Sequence, residues 1–495
     1  MLLRKYTMRV FILFILIPIL IFSKDIKFDN YFDNYTIRVD YYHTGDADEE
    51  FITMDQVYKQ GIWAGTIHNL IDPFNLGKYF VKVYDSEKGN LIYSKGYSSY
   101  FGEYQTTIPA KTGIKKTYHE SVLIPCPKNT IRMTIESRDR KNQFHSVFEV
   151  SIDPNDYHIN NESTIRNDFI VPVLNNGDQH QKVDIVILGE GYTESELEKF
   201  YSDLKKYSNI LFTIEPFKSN KTKFNISGIL RPSIESGADE PTKGRYRNTV
   251  LDATFNSLDS PRYLLTENNK TIRDIAAQVP YDLAYIMVNI NRYGGGGIYN
   301  TLGLFTASEV KWNEYVFVHE FGHFFAALAD EYYNSSVAYN EFYAPGVEPT
   351  EPNITALLES GHVKWKKFLS PGLPVPTDWG KAGYDSLYLK IDWFQKQQND
   401  LVDSLQTAHV SEEEIKSVTG SFTDSIKVIR SQINNFISDH PLRGLIGVFE
   451  GAGYASKGLY RPTVNSIMNK FDEKDWAFYK VSENHLQKMI DYYCK

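Results

Sequence analysis

The stretch VHEFGHFFAALADEYY, residues 318–333, sets His319 and His323 four positions apart, with Glu320 directly after the first. On an α-helix such positions differ by about 40° around the axis and about 6 Å along it, so both imidazoles project from one face. This is the spacing at which two imidazoles reach one tetrahedral ion at about 2.0–2.1 Å. Glu320 sits beside the same point without being forced onto it, which suits a carboxylate that takes a proton from an activated water. Chance alone gives an HExxH roughly twice in a hundred chains of this composition. The context lowers that figure, because Val316, Phe317, Phe321, Phe324, Phe325 and Leu328 make the segment a buried helix. Two histidines and a glutamate are costly there unless paired or bound.

A catalytic zinc takes three protein ligands and keeps one position open. The third ligand is less plain. Asp330 follows His323 by seven residues, nearly on the same face but about 10 Å farther along a straight helix. It can ligate only if the helix ends and the chain turns back. Glu331 is one step on, and a Glu from a later helix is a further alternative.

Two other stretches stand out. GGGG at Gly294, Gly295, Gly296 and Gly297 lacks the Lys-Ser/Thr of a phosphate loop; it reads either as a flexible turn or as a strand edge that a substrate strand can approach closely. SGADEP, residues 236–241, reads as a loop, with Ca²⁺ binding as an unsupported alternative.

Several elements must position these residues. Residues 25–152 carry short alternating or aromatic runs such as YTIRVDYYHT, YFVKVYDSE and NTIRMTIESRD, broken by Gly, Asn, Asp and Pro. They predict an antiparallel β-sandwich, structural or binding in role. Residues 153–168 are polar and turn-rich, a linker. From 169 to 495 the pattern becomes strand, helix, strand, helix. KVDIVILGEGYTESELEKFYSDLKKYSNILF gives a buried strand and a helix opened by a Thr193–Glu196 capping box, and YDLAYIMVNINRYGGGG gives another strand. Residues 384–439 have helical apolar spacing with a Ser411/Glu414 start signal, a helical hairpin inserted in this domain.

The 495 residues exceed one ordinary core, and the net charge of −9 includes no basic block. Nucleic acid is therefore not an expected partner. The amino terminus has Arg4, Lys5 and Arg9 before an apolar run from Val10 to Phe22 and then Ser23. That order predicts an export signal over residues 1–23, too short for a spanning helix. The expected location is secreted or in the cell envelope, with the membrane touched only through the signal. Cys126 and Cys494 are the two cysteines, expected to remain unpaired. Asn34-Tyr-Thr and Asn353-Ile-Thr are sequons of the kind chance supplies.

HEFGHFFAALADEYY resembles the HEFGH…L.DEY signature of the IgA-specific metallo-endopeptidase family, the igalysins, grouped with the metzincins. VDIVILGEGYT (183–193), YGGGGIYN (293–300), EPNIT (351–355), VKWKKFL (363–369) and GVFEGAGYASKGLYRPTVNSIMN (447–469) are similar to further pieces of that family, in the same order. The resemblance covers 166–495 apart from the insertion, and 25–152 looks like the domain that precedes such catalytic domains. It implies an N-terminal β-sandwich followed by an α/β metzincin-like zinc peptidase domain with a helical insertion. It also implies one catalytic Zn²⁺ held by His319, His323 and Asp330, with Glu320 as general base and Met468 as the apolar Met-turn floor. The sequence departs from the metzincin pattern in having Phe325 and Ala326 near the helix-breaking Gly. The expected partner is a protein or peptide substrate. An oxyanion donor is expected among Tyr460, Arg461, Tyr332 and Tyr333. The other functional class is a surface or secreted protein that binds glycan or protein through its sandwich and uses an inactive peptidase scaffold. The complete HExxH favours the enzyme.

Overall fold

The computed structural model describes residues 26–494 apart from 164–165, 167, 261–262, 334–341, 360 and 471–475. The expected export signal lies outside the described residues.

The first domain contains β1 (Phe32–Gly45), β2 (Glu50–Gln60), β3 (Tyr79–Asp85), β4 (Leu91–Tyr97), β5 (Lys116–Pro127), β6 (Ile131–Arg138) and β7 (Phe144–Ile152). Three short helices, α1 (Phe28–Tyr31), α2 (Tyr100–Tyr104) and α3 (Ile108–Lys111), join them. The strands form two antiparallel sheets, in the orders β2-β1-β5 and β4-β3-β6-β7. Alternation along each strand sends every second side chain inward. Ile37, Val39, Tyr41, Val122 and Ile124 of one sheet thus share a core with Val81, Val83, Met133 and Ile135 of the other.

The second domain is a mixed α/β unit with a sheet in the order β12-β13-β11-β9-β10-β8. Its strands are β8 (Phe169–Leu174), β9 (Val183–Glu190), β10 (Phe224–Leu230), β11 (Leu283–Val288), β12 (Gly295–Ile298) and β13 (Leu302–Thr306). The four inner strands run parallel, and the two edges run antiparallel to them. The helices are α4 (Leu197–Leu211), α5 (Asn269–Ala276), α6 (Lys311–Ala326), α7 (Lys381–Thr407), α8 (Glu412–Ser438) and α9 (Tyr479–Cys494). Strand β9 is buried along its whole length, as a strand covered on both faces must be. Val183, Ile185 and Ile187 pack with α4, α6 and α9. Val186 and Leu188 pack with α5 on the other side. Thr193 and Glu196 close a capping box ahead of α4.

The two domains share their interior. Tyr100, Phe101, Tyr104 and Tyr118 of the first lie in the α5-side core, and Leu76 joins the other. Arg38, on the face of β1 turned away from the sandwich core, is fully buried and pairs with Asp274 of α5 at 2.7 Å. Both faces of β1 are covered from Ile37 to Tyr41, which is why the alternation of apolar and polar residues produces no exposed side along that stretch.

The inserted hairpin is α7 and α8, starting at Lys381 rather than at 384. Ser411 caps α8 by accepting from the Glu414 N–H. Ile429, Ile433 and Ile437 seat it on Trp379, Phe449 and Val464. Two last strands, β14 (Phe449–Ala452) and β15 (Ala455–Arg461), pair antiparallel and lead the chain back under α6. No helix among the described residues is long and apolar enough to cross a membrane. Cys126 and Cys494 are both free.

Candidate metal centre

Helix α6 ends just past His323, at Ala326. Ala327 adopts the left-handed region at φ 48°, its N–H bonds the His323 carbonyl, and the Leu328 N–H bonds back to the Gly322 carbonyl. This is a helix stop of the kind glycine usually supplies. It falls one residue after Ala326, so the chain reverses without the glycine of the metzincin pattern.

The reversal brings Asp330 back to the two histidines. Asp330 Oδ1 lies 3.1 Å from His319 Nε2 and 3.3 Å from His323 Nε2, and the two Nε2 atoms are 3.1 Å apart. Each ring is oriented through its other nitrogen. His319 Nδ1 meets the Ile467 carbonyl at 2.8 Å, and His323 Nδ1 meets the Leu328 carbonyl. Carbonyls accept only, so both Nδ1 atoms carry the hydrogen and both Nε2 lone pairs converge. Two lone pairs and a carboxylate oxygen at this range repel one another unless a cation or proton lies between them. An ion bound tetrahedrally at about 2.0–2.1 Å sets ligand–ligand edges of about 3.3–3.4 Å, close to this triangle. Asp330 Oδ1 is buried and has no hydrogen-bond donor, while Oδ2 accepts from the Tyr454 hydroxyl.

The electrostatics express the same demand. Burial opposes charge on His323, but Asp330 more than offsets this and the imidazole is pushed up to about 9. Burial also acts against the Asp330 carboxylate, yet the two imidazoles hold it far below the usual carboxylate range. Burial raises Glu320 above the ordinary glutamate value, with His319 and His323 opposing.

The other residues singled out in the sequence fall into two groups. Met468 is fully buried beneath α6, and a Cβ on Gly322 would meet its Sδ at 2.9 Å; the glycine is there to admit the methionine. Tyr332 lies against the His319 ring, with centroids 6.5 Å apart. Burial, with Asp330 and Glu320 close by, keeps its phenol protonated.

Elsewhere the positions differ from expectation. Glu331 turns away from the metal triangle: Asn353 and Ser466 donate to its two oxygens at 2.9 and 2.7 Å, and it braces the loop instead of serving as third ligand. Tyr460 packs in a separate apolar cluster with Val363 and Trp365, so it is not brought to the metal side chains. Arg461 is buried with its guanidinium on the carbonyls of Gly451, Thr463 and Val464, and the Tyr333 hydroxyl donates to Asp385 at 2.6 Å. The Ca²⁺ alternative at 236–241 meets a surround unsuited to a cation, since Glu240 already pairs with Lys243, Arg245 and Arg292.

The glycine run is strand β12 for three of its four residues. A Cβ on Gly297 would lie 2.6 Å from the Glu320 carbonyl oxygen and 3.0 Å from His323 Cβ. On the other face, a Cβ on Gly294 would meet the Phe255 ring at 2.5 Å, and one on Gly296 would meet Leu265 at 2.8 Å. The close approach demanded of these glycines is thus to the chain's own helix and loop, and Tyr263 bridges Gly295 on the outer side.

Above the metal triangle lies a cleft of about 780 Å³, lined by Glu320, Gly295 and Gly297, by Tyr384 and Tyr388 of the hairpin, and by Glu103, Lys111 and Arg140 of the first domain. Sequence reasoning left open whether the insertion narrows, covers or extends the cleft, and it did not assign the first-domain wall. It also missed Tyr454 and Asn353, although both stand inside the quoted family motifs. Asn353 is fully buried and clamps the metal loop, receiving the Ala329 N–H and donating to the Ala329 carbonyl, both at 2.8 Å. Its role is internal, and the sequon there is not presented to solvent.

Compared with known families, residues 171–490 match the one described as IgA Peptidase M64, and residues 27–149 match the one described as Peptidase M64 N-terminus. No curated protein matched the chain.

Proposed function

The chain belongs to the IgA peptidase M64 family, and from that premise we propose that this peptidase is a secreted, zinc-dependent endopeptidase with Glu320 as its general base. The observation that carries the reading is the buried triangle of His319 Nε2, His323 Nε2 and Asp330 Oδ1, with no hydrogen-bond donor for the carboxylate oxygen that faces the imidazoles.

Zinc, when bound, lowers the pKa of a coordinated water and polarises the scissile carbonyl. The chain's own groups do the rest. Glu320 takes the proton of the attacking water and passes it to the leaving amine. The Ile467 and Leu328 carbonyls hold the two imidazoles in the ligating tautomer. Tyr332, protonated and beside Asp330, is the donor for the developing oxyanion. Gly295 and Gly297 let β12 pack directly on α6 at Glu320 and His323, which fixes the position of the base at the cleft wall. Export rests on residues 1–23 of the sequence.

The test is elemental analysis of the purified protein together with cleavage of unfolded casein, for wild type and Glu320→Ala. One catalytic zinc in both, with chelator-sensitive cleavage in wild type alone, supports the proposal. Absence of bound zinc sinks it and favours the binding-protein reading; zinc without cleavage of any unfolded protein overturns the assignment of a broad endopeptidase.

A further inference from the structure

We infer that the chain carries a second divalent-cation site, formed by Asp40, Asp55 and His119 where the first domain's three-stranded sheet meets α5. Asp40 Oδ2, Asp55 Oδ2 and His119 Nε2 lie within 4.8 Å of one another. His119 Nε2 is 3.3 Å from Asp55 Oδ2 and 3.6 Å from Asp40 Oδ2.

The strand register explains why these residues meet. In β1 and β5, Asp40 stands opposite Ser121 and Tyr42 opposite His119, so Asp40 and His119 share a face. On the other flank, Asp40 pairs with Gln56 and Tyr41 with Met54, leaving Asp55 as the extra residue of a β-bulge. A bulge re-aims one side chain. Here it moves Asp55 onto the face that carries Asp40 and His119.

A sheet needs no such cluster for its own sake, and one atom in it is left over. Asp40 is fully buried, yet its Oδ2 has no hydrogen-bond partner and faces His119. Its other oxygen is committed, with Arg38 Nε at 2.9 Å and the Ser121 hydroxyl donating at 2.5 Å. Arg38 does not fully neutralise the cluster, since it is shared with Asp274 at 2.7 Å. Asp40 and Asp274 face Arg38, and Asp40 and Asp55 face Lys270, so three carboxylates are set against two cationic side chains. The His119 ring is held through Nδ1 by the Asn269 amide of α5 at 3.1 Å. The same amide nitrogen donates to the Ser121 hydroxyl at 2.7 Å, so ligation through Nε2, which needs the hydrogen on Nδ1, requires the amide to turn its oxygen to the ring and give up that bond. One nitrogen and two carboxylate oxygens suit Zn²⁺ or Mn²⁺.

An ion here would link β1, β2 and β5 and, through Asn269, tie the sheet to the second domain. The inference does not rest on the peptidase reading, and the experiment keeps the two apart. The full chain is equilibrated with Zn²⁺, dialysed and analysed for metal, as wild type, His119→Ala, Asp55→Ala and His319→Ala. Two equivalents are expected in wild type and one in each variant, with casein turnover within about twofold of wild type in the first two. Asp55 is exposed, so its replacement leaves the fold intact even if His119→Ala does not. One equivalent in wild type that only His319→Ala removes overturns the second site, as does a stoichiometry that neither His119→Ala nor Asp55→Ala lowers.

Discussion

Asp330 follows His323 by seven residues, and its Oδ1 nonetheless lies 3.3 Å from His323 Nε2. The contact depends on a single backbone conformation, that of Ala327 at φ 48°. A residue with a Cβ costs about 1 kcal/mol or more there relative to glycine. Ala327→Gly should therefore leave zinc content intact and raise stability by up to about 1 kcal/mol. Ala327→Val should destabilise by more than about 2 kcal/mol and lower zinc content, because a branched side chain is poorly tolerated at positive φ. Thermal unfolding and metal analysis of the two variants check this; equal behaviour would remove Ala327 from the account of the turn.

Tyr454 donates to the other oxygen of Asp330, which holds the carboxylate with Oδ1 toward the histidines. Partners of this kind orient a ligand without touching the metal. Tyr454→Phe should weaken zinc binding about 10- to 100-fold in a chelator competition and leave kcat within severalfold of wild type at saturating zinc. An unchanged affinity would mean that the Tyr454 hydroxyl does not set the orientation of Asp330.

How much of this was legible in the sequence depended on the range of the interactions. His319, Glu320 and His323 are set by helical periodicity within five residues, and their convergence on one face followed from spacing alone. Asp330 needed a turn that local rules did not specify, since Ala327 occupies a conformation for which glycine is the usual signal; the family resemblance supplied the expectation instead. Strand β9 and the helix after it were legible because a continuous apolar run and a capping box are both local. The roles of Asn353 and Tyr454 were not, because each acts on residues 329–331 from more than 20 positions away. The glycine run showed the same limit from the other direction. Its composition announced close approach, but only the packing of β12 between α6 and the 254–265 loop identified what approaches.

That packing gives a direct test. A methyl group at position 297 would meet the backbone of α6 at Glu320 and Phe324, atoms that cannot swing aside as a side chain would. Gly297→Ala should destabilise by about 1–3 kcal/mol and lower casein turnover at least tenfold by shifting Glu320 and His323. Gly420→Ala, in the hairpin with no neighbour within 4 Å of the added carbon, serves as control and should be neutral or stabilising by up to about 1 kcal/mol. Normal turnover in Gly297→Ala would show that the strand is free to recede from the helix.

The pH dependence of stability should carry the mark of a buried acid pair at the starts of β9 and β11. Asp282 Oδ2 accepts the Asp184 N–H at 2.9 Å, and Asn225 donates to Asp184 at 2.9 Å. Burial, then repulsion from Asp282, pushes the Asp184 carboxyl up to about 8. Burial pushes Asp282 up to about 7, with Lys95 opposing. Both values lie above the unfolded value of about 3.9, so the folded chain holds more protons than the unfolded one between about pH 4 and pH 7–8. Stability from this pair is undiminished below pH 4, falls as pH rises through that window, and is lowest above it. Each proton contributes a slope of about 1.4 kcal/mol per pH unit, so two protons make about 2.8 an upper figure for the pair. Asp184→Asn should flatten this fall and make the protein more resistant to urea at pH 8 than wild type, with little difference at pH 4. A parallel pH dependence in both proteins would exclude the pair as its source.

The cleft walls separate binding from chemistry. Tyr388 of α7 lines the cleft, where the Tyr384 hydroxyl donates to its oxygen at 3.2 Å; neither group touches the metal triangle. A side chain that contacts substrate equally in the ground and transition states changes KM and spares kcat. Tyr388→Ala should therefore raise KM for an unfolded protein substrate about 3- to 30-fold while kcat stays within about twofold and zinc content is unchanged. Tyr384 is the wrong residue for this test, because it is buried in the seat of the hairpin and its removal would open that core. A fall in kcat at constant KM for Tyr388→Ala would instead place the hairpin in the chemical step, most simply by displacing Tyr333, which is tied to α7 through Asp385 and directly follows Tyr332 beside His319.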